Sequence, residues 1–326
     1  RLLIPHRRPD CTMQWSLCVG PNHRMQMRFV LFLLLLALQT PIAVAQGLAL
    51  TFDDGVDPAR SPDAAKVNGD LLDELRHLGV SAAFFPTLVH TGGAEGRALV
   101  RAWSEAGHMI GNHTSRHRNL DSGKLSLPDF IEDVEEAEAA FRDLPTWTPM
   151  LRFPYLKEGN TREKRDGMRA WMASNGYSTA PVSIDTSDWF FNTVFLSLSA
   201  ARDEKRLAVL HDAYVQHLVD RATYYDDLAR KVLGRSPDHV LLLHVNAINA
   251  AWLTDAVTAL QQHGWSILSA RIAFEDPIYQ LSPDVLPAGE SVVWSLARTA
   301  GVSDLRYPAE DSVYEEPKLR SLGLLR

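Results

Sequence analysis

Short apolar runs alternate with amphipathic stretches along most of the chain. At 48–52, Leu48, Leu50 and Phe52 alternate with small residues, a period of two that predicts a strand. Leu71, Leu72, Leu75 and Leu78 then recur at helical spacing ahead of Gly79, a stop signal. Further strands are predicted at 81–86, 109–112, 150–153, 178–184, 240–243 and 265–268, and helices at 98–106, 128–144, 162–175 and 251–263. The helix at 128–144 is acidic and opens on Ser126 with Asp129 at the capping-box position. Strand–helix alternation of this kind argues for parallel β/α units. After about Pro283 the pattern weakens into a tail with scattered Pro and charges, and no internal repeat appears.

Between Trp189 and Val240 the chain reads as helical, with Val215, Leu218, Ala222, Tyr225, Leu228 and Val232 forming one face. Tyr214, Tyr224 and Tyr225 cluster in this segment, which we place at 195–234. Two readings stay open: an extra helical layer with partly buried tyrosines, or a cap that narrows a cleft or adds a sugar-stacking surface.

The first 45 of the 326 residues read differently. Residues 25–45 carry a basic start at Arg28, a short apolar core and an Ala43-Val44-Ala45 cleavage site, the pattern of a secretory signal. The competing reading, a membrane anchor, needs about 20 apolar residues, and this core breaks at Gln39, Thr40 and Pro41. Residues 1–24 show no sustained period and read as a non-native upstream leader before a start at Met25 or Met27, or as a disordered one. The expected mature protein is exported, periplasmic or extracellular, without a stable membrane anchor. Its domain is expected over 46–283, followed by a tail over 284–326.

Charge and cysteine content narrow the chemistry. The formal net charge is −7, and the first 45 residues carry more Arg than Asp, so the remainder is more acidic still. That is a poor footprint for nucleic acid, which needs concentrated Lys and Arg. Cys11 and Cys18 both precede the expected cleavage point, leaving no disulfide and no thiol nucleophile.

The chemically loaded residues share one position. Asp53 and Asp54, His113, Arg152, Asp188 and His244 all fall at or just past the ends of predicted strands, where sites assemble in parallel β/α architectures. Asp53-Asp54-Gly55 is either a turn after a strand or a pair of catalytic carboxylates. The His113-x-x-x-His117 spacing puts both rings on one face if it forms a helical turn. One carboxylate with two imidazoles makes a three-ligand site with metal positions left open, the pattern of catalytic zinc, and the second carboxylate is then free to act as a base. Arg152 is a candidate carboxylate clamp or a surface residue, Asp188-Trp189 an acid beside a flat wall or a turn, and His244 an acid–base group or a buried core histidine.

In this order, Thr51-Phe-Asp-Asp-Gly55, His113-Thr-Ser-Arg-His117, Arg152-Phe-Pro-Tyr155, Asp185-Thr-Ser-Asp188-Trp189 and Leu242-Leu-His244 resemble the five motifs of the polysaccharide deacetylases, the NodB-homology group or carbohydrate esterase family 4. The resemblance spans roughly 47–275. It implies an α/β fold, a distorted (β/α) barrel of about seven parallel strands, here with a helical insert. It implies a divalent metal, zinc foremost with cobalt or manganese as alternatives, on Asp54, His113 and His117. Asp53 is then the base that takes a proton from the attacking water, kept ionised by Arg152. The backbone N–H of Tyr155 faces the oxyanion, His244 protonates the departing amine with Asp188 orienting its ring, and Trp189 and Leu242 wall a pocket for the acetyl methyl. The implied reaction is removal of N-acetyl groups from a carbohydrate such as peptidoglycan or a chitin-like glycan. Other readings remain: a deformylase or amidohydrolase on another C–N substrate, an O-acetyl esterase of the same fold, or a silent carbohydrate-binding relative. Beyond His244, Asn246 and Asn249 are placed either to bond a polar substrate or to cap the next helix.

Overall fold

The computed structural model describes residues 46–325; the segments read as leader and signal, with both cysteines, lie outside them. The chain runs through β1 (Gln46–Asp54), α1 (Ala64–Leu78), β2 (Ala83–Pro86), α2 (Leu88–Thr91), α3 (Ala94–Glu105), β3 (Met109–Asn112), α4 (Leu127–Phe141) and β4 (Trp147–Leu151). There follow β5 (Lys157–Gly159), α5 (Arg162–Ser174), β6 (Ser178–Thr179), α6 (Asp188–Ala200), α7 (Glu204–Leu233), β7 (His239–His244) and α8 (Ala247–Gln262). The last elements are β8 (Trp265–Leu268), α9 (Ala270–Ala273), β9 (Ala288–Gly289), α10 (Val292–Thr299) and α11 (Ser312–Ser321).

Seven strands form one curled sheet in the order β6-β4-β3-β2-β1-β7, with β8 paired to the first residues of β1. Every pairing in it is parallel. β1 is central, and Leu48, Ala49, Leu50 and Phe52 are fully buried, as a strand covered on both faces requires. The strand predicted at 178–184 is regular only over β6. Pro181 has no N–H for the ladder, yet the chain stays extended beyond it. Ile184 bridges Leu241 in parallel, and Leu242 N donates to Ile184 O at 3.0 Å. That run reaches from β4 to β7 and brings the two sides of the curled sheet together, giving the distorted barrel.

The helical insert is present as α6 and α7. Asp203 caps α7 by accepting from Arg206 N, and Gly234 ends it in the left-handed conformation. Tyr214 and Tyr225 are both fully buried, and α7 packs on α6, α8 and α10. This is the arrangement of a structural layer. Deleting 200–234 is therefore expected to abolish cooperative unfolding in urea; a deletion that still unfolds cooperatively contradicts this.

Residues 284–325, which the weak pattern leaves as tail, are built into the fold. β9 pairs antiparallel with β5, α10 lies against α7, and Trp294 is 1% exposed. The sequence signal is faint because the elements here are too short to show a period. Trp294→Ala is expected to cost roughly 3–5 kcal/mol, read by denaturant titration; a cost near zero contradicts an integral C-terminal segment.

Candidate active site

Strand alternation points successive side chains to opposite faces, so two adjacent carboxylates at the end of β1 do not ordinarily share a cleft. Asp54 takes φ 78, which breaks the extended run, and both carboxylates line one cleft of about 540 Å³. Gly55 follows at φ 107, and a Cβ there meets Thr91 Cγ2 at 2.6 Å. Six positive-φ non-glycine residues gather around this cleft: Asp54, Thr114, His117, Tyr155, Leu156 and Glu290. Backbone strain of this kind concentrates where geometry serves a site.

Asp53 is 2% exposed and is held by Arg152, whose Nη1 stands 3.2 Å from Oδ1 and 3.4 Å from Oδ2. The guanidinium is itself buried: Nε donates to Ala180 O, Nη2 donates to Thr51 Oγ1, and the Phe85 ring covers its face. Burial pushes the Asp53 carboxyl up to about 6, against the opposing pull of Arg152 and His244. Asp53 is also the register partner of His244 on β7, so the two lie side by side on neighbouring strands.

The His113–His117 segment departs from the helical turn its spacing predicts. It is an irregular loop, with Thr114 at φ 67 and His117 at φ 50, and the two rings nevertheless meet at 4.9 Å. Its conformation comes from fixed partners. Asn112 Oδ1 accepts from Thr114 N, Thr114 Oγ1 accepts from His117 N, and Ser115 N donates to Asp133 O. The carboxylate of Asp133, fully buried on α4, takes Arg116 Nη1 at 2.5 Å and Arg118 Nε at 2.6 Å. Asp133→Asn is expected to weaken metal binding about 10- to 100-fold, as losses around a metal site do; competition with a chromophoric chelator reads it, and unchanged affinity contradicts the role.

Asp54, His113 and His117 bring their ligand atoms within 4.8 Å of one another. His113 Nδ1 lies 2.8 Å from Arg152 O. A carbonyl only accepts, so Nδ1 carries the proton and Nε2 presents its lone pair. Burial lowers His113 to about 4, and burial with the neighbouring His113 lowers His117 to about 3, so both are neutral donors near pH 7. For Asp54 burial raises the pKa, but His90, His244, His113 and His117 outweigh it and hold the carboxyl below its ordinary range. Asp54 Oδ1 is buried without a hydrogen bond. Three ring nitrogens surround it, His90 Nδ1 at 3.0 Å, His117 Nε2 at 3.4 Å and His113 Nε2 at 3.6 Å. A carboxylate oxygen without a hydrogen bond, beside the neutral His113 and His117, fits a divalent cation.

Opposite the triad, His244 Nδ1 lies 2.6 Å from Asp188 Oδ1, and its backbone N–H donates to Oδ2 at 2.8 Å. Burial lowers the imidazole's pKa, but Asp188, Asp54 and Asp53 overcome that and raise it to about 10. Asp188 is fully buried and takes Asn246 Nδ2 at 3.0 Å and Asn249 Nδ2 at 2.8 Å. Asn246 also caps α8 by accepting from Asn249 N. The two asparagines therefore cap the helix and hold the Asp188 carboxylate, while Tyr214 of α7 donates to Asn249 Oδ1.

Every sequence-predicted site residue except two lines the cleft; Arg152 and Asp188 stand behind it. Tyr155, with φ 57, lays its ring 4.6 Å from His117. Trp189 is 42% exposed and Leu242 is 5% exposed. Sequence reasoning missed His90, Lys157, Glu290 and Glu310 as cleft residues and treated Asp185 only as a motif letter. His90 had a usable signal, lying four residues past the end of β2. Glu290 and Glu310 had none, since they stand in the segment read as tail.

Residues 44–177 match the family model described as polysaccharide deacetylase. The peptidoglycan-N-acetylglucosamine deacetylase of Bacillus cereus is 29% identical over 143 residues, 44% of this chain and 46% of that protein. The chitooligosaccharide deacetylase of a Bradyrhizobium species is 29% identical over 178 residues, 53% of this chain and 74% of that protein. The chain thus spans about half the length of the Bacillus cereus relatives it matches. The chitin deacetylase of the fungal pathogen Colletotrichum lindemuthianum shares the fold, with a TM-score of 0.51 and 21% identity over 76% of this chain and 94% of that one. Asp53, Asp54, both histidines, Arg152 and Tyr155 fall inside the matched region; Asp188, Trp189, Leu242 and His244 lie beyond it. Over residues 44–177 the chain is similar to the polysaccharide deacetylases, and its fold agrees with that of the Colletotrichum enzyme.

Proposed function

We propose that this chain is a metal-dependent hydrolase that removes N-acetyl groups from an amino-sugar glycan of the peptidoglycan or chitin type. The observation that carries this reading is the placing of a buried, Arg-held Asp53 beside a protonated His244 in a cleft that also holds Asp54, His113 and His117.

Asp54, His113 and His117 would hold the ion, and their donor set suits zinc, with cobalt or manganese as substitutes. Bound there, a divalent ion polarises the amide carbonyl and makes water a stronger acid. Asp53 accepts the proton of the attacking water, and Arg152 keeps its carboxylate oriented. The backbone N–H of Tyr155 is assigned to the developing oxyanion. His244 delivers its proton to the departing nitrogen, which leaves poorly as an anion, and Asp188 holds the ring in place. Leu242 and Trp189 enclose the acetyl methyl.

Acetate release should be measured on chitin oligomers, peptidoglycan fragments and acetylated xylan, with metal content determined alongside. Release from the first two and not from xylan is expected. Release from xylan alone favours an O-acetyl esterase, and no release from any of them with metal loaded overturns the reading.

The secretory-signal pattern at 25–45 supports an activity outside the cytoplasm. Among the described residues no helix is long and apolar enough to cross a membrane. The mature protein is expected to begin at Gln46; N-terminal sequencing of the exported form that finds Met25 or Met27 intact contradicts this.

A further inference from the structure

Helix α7 reaches the Asp188–His244 pair by two routes, and neither passes through the cleft. Tyr214 and His217 lie one turn apart on α7, both buried and both outside the cleft lining. Each packs on Phe191 of α6, with ring centroids 5.6 Å and 4.7 Å away. His217 Nε2 accepts from Ser187 N at 3.1 Å. A backbone N–H only donates, so Nε2 carries the lone pair and Nδ1 the proton, which faces Glu315 Oε2 at 3.4 Å. Ser187 immediately precedes Asp188 at the start of α6, so this bond fixes the backbone from which the Asp188 carboxylate projects.

Tyr214 acts on the carboxylate itself, through Asn249 of α8. Its hydroxyl donates to Asn249 Oδ1. Asn249 is fully buried and directs both amide hydrogens at the pair: Nδ2 donates to Asp188 Oδ2 at 2.8 Å and to His244 O at 2.9 Å. One amide group therefore ties the carboxylate to the strand that carries the imidazole. The two ends of an amide have nearly the same shape and opposite hydrogen-bonding chemistry. Turned over, it would set Oδ1 against a carboxylate oxygen and a carbonyl oxygen, which only accept. The Tyr214 hydroxyl gives Oδ1 its donor on the other side and holds the amide in the working sense. Without that hydroxyl a buried acceptor loses its partner, and the amide gains a reason to move.

We propose that Tyr214, acting through Asn249, is a positioning residue for the general acid, so that the helical insert sets where His244 stands against the departing nitrogen. The inference rests on the deacetylase reading above. Tyr225 supplies the contrast: it is equally buried on the same helix, but its hydroxyl donates to Glu310.

The test compares two acetyl substrates on the metal-loaded protein. The amine of an N-acetylglucosamine trimer leaves only when protonated, whereas the phenolate of p-nitrophenyl acetate leaves unaided. Tyr214→Phe is expected to lower kcat on the trimer about 10- to 100-fold with KM unchanged, the scale on which small misplacements of a catalytic group act. The ester rate should stay as it is. Asn249→Ala should lose a similar factor, and Tyr214→Phe should add nothing in that background. Tyr225→Phe should alter neither rate. Equal losses on both substrates, or no loss on the trimer, overturn the proposal. The downfield proton resonance of His244 Nδ1 is read on the same preparations and does not depend on turnover. It should move in Tyr214→Phe and not in Tyr225→Phe; a resonance unmoved in Tyr214→Phe also overturns the proposal. A moved resonance in a protein whose wild type releases no acetate from the trimer removes the deacetylase reading and leaves the positioning role. Release from the trimer that Tyr214→Phe does not slow removes the positioning role alone.

Discussion

Asp53→Asn is expected to lower kcat about a thousandfold while metal stays bound. General-base catalysis contributes about 10²–10⁴ to such reactions, and asparagine fills the same space without accepting a proton in the needed way. The carboxylate is buried and set by the Arg152 clamp, so no neighbouring group replaces it. Asp54 belongs to the other half of the site, with its orphaned Oδ1 among three imidazoles. Steady-state rates and metal content together decide between them. Loss of the ion from Asp53→Asn, with Asp54→Asn retaining it, reverses the two assignments.

His244→Gln is expected to remove about 10²–10⁴ of the rate, and its signature is the pH profile. The acid must be protonated to work, so activity is lost as pH rises through the His244 pKa, which lies at about 10 in the folded protein. The base must be ionised, so activity is lost as pH falls through Asp53, at about 6. A dication at Asp54 cancels the help His244 receives from Asp54 and Asp53 and draws Asp53 lower. Both limbs then move down, and Asp188 remains the main source of the elevation of His244 above 6.5. Asp188→Asn should bring the alkaline limb down further, and the alkaline limb should be absent from the profile of the residual His244→Gln activity. An unchanged alkaline limb in both variants shows that another group protonates the leaving amine.

Much of this site is legible in the chain because its residues sit at strand ends, and strand ends are marked by strong local patterns. Leu48, Leu50 and Phe52 announce β1 and so place Asp53; the apolar run before His244 does the same for β7. What resisted reading depended on non-local or strained backbone. The His113–His117 spacing suggests a helix, but Thr114 and His117 adopt left-handed backbone and the arginine clamp on Asp133 sets the loop. The 178–184 strand breaks at Pro181 yet still completes the barrel through Ile184. Trp294 lies in the two-turn α10 packed on α7, and Glu290 and Glu310 lie in irregular segments with no period, so the burial of the first and the place of the other two in the cleft are products of tertiary structure.

Metal titration tests the central claim most directly. Protein stripped with a chelator should release no acetate from N-acetylglucosamine oligomers. Adding Zn²⁺ should restore release linearly until one ion is bound per chain, and Asp54→Ala should bind none and recover nothing. Acetate release that survives stripping, or a fully loaded protein that releases none, contradicts the account.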